Sequence, residues 1–123
     1  VLISGKYRRN VNVDGNHFPQ WVNSNNKLNN ITSVSVHTGR DVRKSINLKA
    51  DLVFISAVFP STSHINQQHL GVIRLGLLAR LFKKNVIALG GINNKNIARL
   101  RSLPISGCAG IDMFTKAYNK REL

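Results

Sequence analysis

The sequence predicts an α/β fold built on a parallel sheet, of the (β/α)8 barrel type. Three observations lead there. Short β-branched or apolar runs alternate with amphipathic stretches of helical length, which is the pattern of βαβ units. Two of the runs are almost continuously apolar, as strands covered on both sides must be. The runs end in glycine or hydroxyl residues, at the positions where parallel sheets hold ligands.

Taken in order, Leu2-Ile3 and Asn16-His17-Phe18 read as two short strand ends, and the Asn-rich stretch 23–30 reads as a polar surface loop. Residues 31–37 (ITSVSVH) alternate and form a strand. Residues 39–49 form a short helix with Val42, Ile46 and Leu48 on an otherwise basic surface. Residues 51–58 (DLVFISAV) form a buried strand. A polar loop then leads into a helix over 70–82, and 85–89 (NVIAL) form another buried strand ending in Gly90-Gly91. Asn93 or Asn94 caps a helix over 95–103 that stops at Pro104. Residues 108–114 form a last strand, and the basic tail begins a helix. The units counted here are about half of the eight of a closed barrel, so the chain is expected to form a single partial barrel domain over 1–123.

With 42% hydrophobic residues a real core is attainable, and no apolar run approaches the roughly 18 residues of a membrane span. The N-terminus lacks an initiator Met and reads as the product of a cut from a longer chain. A single cysteine, Cys108, excludes an internal disulfide and fits a reducing cytoplasm; its apolar strand makes it core. Eighteen Lys and Arg stand against five acids, for a net charge of +13. Such a charge attracts polyanions, but the basic residues are scattered, with no basic helix and no aromatic platform. They are read as a solvated basic surface, with nucleic-acid binding as a third, weaker reading.

Three strand ends carry chemistry. Gly90-Gly91 lets the backbone approach a ligand ahead of a helix N-terminus that favours an anion, although a plain glycine turn has the same sequence. Thr115 follows the next strand, and these two neighbouring loops form the common phosphate site of barrels. Ser61, Thr62, Ser63 and His64 cluster donors on the loop after Phe59-Pro60, in a setting where hydroxyls are also ordinary turn residues. His17 and His37, at strand ends, fit satisfied structural histidines as well as site residues, and His69 is read as solvated. No His, Cys or acid has metal-ligand spacing.

The blocks DGNHF, SVSVHT, ADLVFISAVFPSTSH, VIALGGIN and GCAGIDMFT, in this order, resemble the thiamine phosphate synthase family, which includes the related thiazole tautomerases. The likeness runs from about residue 2 to about 117 and implies that the chain supplies roughly the later two-thirds of a (β/α)8 barrel. It implies an enzyme of thiamine biosynthesis that joins a pyrimidine diphosphate to thiazole phosphate and releases pyrophosphate, with Mg²⁺ assisting the leaving group. By position, Gly90, Gly91 and Thr115 would hold the thiazole phosphate, Ser61 and Ser63 the phosphate groups, and Ser35 would lie beside the pyrimidine. His64 stands where the family has a pyrophosphate-binding lysine, and with Ser63 would serve the leaving group. The family's metal carboxylates are replaced, one by Ser4-Gly5 (with Lys6 following) and the other within Pro19, Gln20, Trp21 and Val22. The family's Gln and Arg for the diphosphate would precede residue 1. Ala57 stands where a tautomerase needs an imidazole, which weakens that alternative. The other alternative is a degenerate, non-catalytic barrel that binds a phosphorylated ligand. An isolated partial barrel is further expected to self-associate.

Overall fold

The computed structural model describes residues 2–4, 12–20, 30–61, 65–66 and 68–110. Six strands form one parallel sheet in chain order: β1 (Leu2–Ser4), β2 (Gly15–Phe18), β3 (Ile31–Val36), β4 (Leu52–Ile55), β5 (Asn85–Leu89) and β6 (Gly107–Ala109). Helix α1 (Gly39–Asn47) joins β3 to β4, and α2 (Gly71–Ala79) joins β4 to β5. The α/β parallel architecture of the sequence-based expectation is therefore present, including the two short N-terminal strands.

The register sorts the side chains into two faces. Val34, Val53 and Val86 lie side by side, and the next row on the same face is Val36, Ile55, Ala88 and Cys108. With Leu48 of the α1 C-cap, Leu75 of α2 and Leu100 they form one apolar core, in which Val34, Val36, Ile55, Leu75 and Ala88 are fully buried. Cys108 packs against this core, as its apolar strand implies. The opposite face carries Ser4, His17, Ser33 and Leu52 in one row and Ser35, Phe54 and Ile87 in the next. Apart from fully buried Ser33, the residues from His17 to Ile87 on this face are half-buried.

Local chemistry sets the ends of α1. Thr38 is its N-cap: the Thr38 hydroxyl accepts from the Asp41 N–H, and the Asp41 carboxylate accepts from the N–H groups of His37 and Thr38. This capping box satisfies donors that the first turn leaves unpaired and sets an acid at the positive end of the helix. At the other end Lys49 takes a left-handed φ of 48°, which stops α1 and turns the chain into β4. At the amino ends of the strands the Asp51 carboxylate accepts from the Thr32 N–H and lies 3.7 Å from the Lys84 ammonium.

The helix expected over 95–103 is a single 3-10 turn, Ile97–Leu100. Asparagine is the reason. The Asn96 side chain accepts from the Asn93 N–H and donates to the Gly91 carbonyl, while the Asn93 side chain accepts from the Lys95 N–H. These local bonds compete with α-helical ones, and Pro104 closes the segment four residues after Leu100. The cap expected from Asn93 or Asn94 is accordingly taken by Asn96, without a side-chain cap bond. The 85–89 strand has the expected bounds, whereas three other elements run shorter: the 51–58 strand ends at Ile55, the 70–82 helix spans Gly71–Ala79, and the last strand is Gly107–Ala109, with 111–114 outside the described residues.

Candidate functional site at the carboxyl ends of the strands

The loop after β4 is held across the end of β5. The N–H groups of Val58 and Phe59 donate to the carbonyls of Leu89 and Gly90, and those of Leu70 and Gly71 donate back to Ala57 and Val58. The β4 loop, the β5 end and the start of α2 thus form one hydrogen-bonded unit. Gly90 and Gly91 lie within it at φ 97° and 64°. A Cβ on Gly91 would fall 2.4 Å from the carbonyl oxygens of both Phe59 and Pro60, and one on Gly90 2.9 Å from Ala57. Glycine is therefore demanded by the approach of the two loops as well as by the backbone angle. Among the described residues, the N–H groups of Gly91 and Ile92 have no backbone acceptor. The Gly91 carbonyl, by contrast, is engaged by Asn96. The turn thus offers donors at the position where an anion is expected. Arg99 lies against the same loop, its guanidinium 5.3 Å from the centre of the Phe59 ring, within cation–π range.

Two histidines bond to serines on neighbouring strands. At the rim His37 Nδ1 is 3.2 Å from Ser56 Oγ, linking the ends of β3 and β4. Deeper on the half-buried face the His17 ring is bracketed, with Nδ1 2.8 Å from Ser33 Oγ and Nε2 3.0 Å from Ser35 Oγ. The ring stands edge-on to Phe54, with centroids 5.7 Å apart. Burial, and secondarily the positive charge of Lys44, lower the His17 pKa from 6.5, so that the neutral imidazole is favoured. Lys44 itself donates to the Pro19 carbonyl, and its pKa is lowered by burial against the opposing pull of Asp41.

Of the residues singled out in the sequence, Ser35 lies on the half-buried face, Ser61 is half-buried just beyond Phe59-Pro60, and Gly90 and Gly91 form the turn above. Ser63, His64, Thr115 and Lys6 lie outside the described residues. His69 is exposed, as expected. His17 and His37 both prove to be hydrogen-bonded. The triad Ser33–His17–Ser35 was not anticipated, although the alternation of ITSVSV, which sets both serines on the face opposite the valines, carried the signal.

No group of three or more His, Cys, Asp or Glu residues that could hold a metal ion occurs among the described residues. Nor is any helix there long and apolar enough to cross a membrane.

The family model described as thiamine monophosphate synthase matches residues 7–114. The thiamine-phosphate synthase of Latilactobacillus sakei is 31% identical over 91 residues, which is 72% of this chain and 41% of that protein. The thiamine-phosphate synthase of Lactococcus lactis is 25% identical over 122 residues, which is 94% of this chain and 56% of that protein. The chain spans about half the length of these relatives. Among solved structures, the thiamine phosphate pyrophosphorylase of Pyrococcus furiosus superposes with a TM-score of 0.65 at 21% identity, covering 80% of this chain and 48% of that one.

Proposed function

The chain belongs to the thiamine monophosphate synthase family, and from that premise we propose that it carries a synthase-type site at the carboxyl ends of its strands. There a pyrimidine diphosphate is joined to thiazole phosphate with release of pyrophosphate. The observation that supports this reading is the hydrogen-bonded unit of the 56–61 loop and the Gly90-Gly91 turn, which holds the backbone donors of Gly91 and Ile92 at the carboxyl end of β5, with Ser61 on the same loop. The six parallel strands are read as part of a (β/α)8 barrel to which this chain contributes the later strands. The partner is a phosphorylated small molecule in the cytoplasm, and membrane and nucleic acid play no part.

In this reading the N–H groups of Gly91 and Ile92, with the hydroxyl of Thr115, hold the thiazole phosphate. By family position the diphosphate is assigned to Ser61, Ser63 and His64, and the pyrimidine to Ser35. As the bond between the pyrimidine methylene carbon and the diphosphate breaks, its electron pair leaves on the pyrophosphate oxygen, and the thiazole nitrogen supplies the pair for the new bond. Positive charge near the leaving group favours that departure, which is the role given to His64 with Lys6. The described residues do not fit a magnesium site of the family type: β1 ends in Ser4, and Pro19 and Gln20 follow β2, with no carboxylate at any of the three. No step is therefore routed through a metal. The same observation favours one alternative, a non-catalytic barrel that retains the phosphate grip.

Incubation with both substrates, with and without chelator, from about pH 5 to 8, tests the proposal. Thiamine phosphate and pyrophosphate in equal amounts are expected, with a chelator-resistant rate that rises toward acid pH as His64 becomes cationic. Absence of product while thiazole phosphate still binds would replace the synthase by the non-catalytic binder.

A further inference from the structure

We infer that buried Ser33 selects one tautomer of His17, and that His17 in turn makes Ser35 a hydrogen-bond donor toward whatever ligand lies on this face. Ser33 is fully buried, and among the described residues His17 Nδ1 is the one partner of its hydroxyl. Ser35, the next residue on the same face, is half-buried.

A neutral imidazole has one N–H and one bare nitrogen, so the two serines cannot be treated alike. If Nδ1 carried the proton, it would donate to Ser33, and the Ser33 O–H would point into the protein with no described acceptor. A buried donor left unpaired is costly. If Nε2 carries the proton, Ser33 donates to the bare Nδ1, and Nε2–H donates to Ser35 Oγ. The Ser33 hydroxyl and the His17 ring N–H then each have an acceptor. The one hydroxyl proton left over belongs to Ser35, the half-buried member of the pair. The lowered pKa of His17 supplies the neutral ring that the argument requires.

The consequence is a directional site. Ser35 offers its proton to an acceptor atom on the ligand, such as an unprotonated ring nitrogen, and its oxygen is already engaged by His17. His17 is thus a positioning residue, acting on the ligand through Ser35. The ligand half of this inference rests on the pyrimidine reading of the site; the tautomer half does not.

The test has two arms on the full chain. Imidazole ¹⁵N–¹H correlation spectra of histidine-labelled protein near neutral pH should show His17 neutral, with the proton on Nε2. A proton on Nδ1, or an even mixture of tautomers, would overturn the inference whatever the ligand. In the second arm a pyrimidine diphosphate is titrated into parent, His17→Gln and His17→Asn. The longer Gln amide can still donate at the Nε2 position, whereas Asn reaches only as far as Nδ1. The predicted pattern is a loss of roughly tenfold in affinity for His17→Asn, the worth of one hydrogen bond, and near-parental binding for His17→Gln. Equal losses in both variants, with unchanged circular dichroism, would contradict the positioning role. Failure of the parent to bind the probe would reject the pyrimidine reading and leave the tautomer spectrum to decide the inference alone.

Discussion

On one face of the sheet Val34, Val53 and Val86 stand shoulder to shoulder under α1 and α2; on the other, in adjacent positions of the same strands, stand Ser33, Ser35, Phe54 and the ring of His17. The first face is sealed by the chain's own helices. The second holds polar groups that bond to one another, of which Ser33 is buried while His17 and Ser35 remain half-accessible. A single residue step along β3, from Val34 to Ser35, crosses from packing to chemistry. The difference teaches that packing and the proposed ligand contacts fall on alternate residues, so each should respond to substitution without the other.

The largest expected effect breaks the sealed face. Ile55→Ala removes a fully buried side chain from the core and should cost about 2–5 kcal/mol in chemical denaturation. By contrast Ile73→Ala, on the exposed side of α2 with 81% of its surface open, should change stability by less than about 0.5 kcal/mol.

Next comes the turn that joins the faces at their carboxyl ends. Gly91→Ala sets a Cβ against the carbonyls of Phe59 and Pro60 at a φ of 64°, so the β4 loop must move. It should abolish binding of thiazole phosphate in calorimetry, with a stability loss of about 1 kcal/mol or more. Parental affinity in this variant would show that the Gly91 amides do not hold the phosphate.

Ser35→Ala should leave the denaturation midpoint nearly unchanged and weaken the pyrimidine ligand about tenfold. An unfolded Ser35→Ala protein would break the separation of the faces.

The smallest effect is in pH. Because burial lowers the folded-state pKa of His17 below the ordinary 6.5, the unfolded chain takes up this proton first. Stability contributed by the neutral ring is present above pH 6.5 and is lost as the pH falls from there through the folded value. Subtracting the denaturation profile of His17→Gln from that of the parent should isolate this slope; coincident profiles would show that His17 is not held neutral.

Much of the sealed face was legible in the sequence, because an apolar run such as LVFI or NVIAL has few ways to be buried. The capped start of α1 was not singled out in advance, yet Thr38 and Asp41 carry it by local chemistry. What escaped depended on contacts between segments distant in sequence. Asn96 reads as one more polar residue in a helical stretch until its amide meets the Gly91 carbonyl. His17 reads as a strand-end histidine until β3 brings Ser33 and Ser35 to its two nitrogens. Gly90-Gly91 was legible as a glycine turn at a strand end, but the closeness of the Phe59 and Pro60 carbonyls, a second reason for glycine, was not.

The division of labour between the faces is tested most directly by mapping a ligand onto them. In amide and methyl correlation spectra of the chain titrated with thiazole phosphate, shifts are predicted at the 57–61 loop and at Gly90, Gly91 and Ile92. The core methyls of Val34, Val53 and Val86 should stay still. Shifts confined to the helix-facing core or to the amino ends of the strands, or the same pattern with unphosphorylated thiazole, would contradict the account.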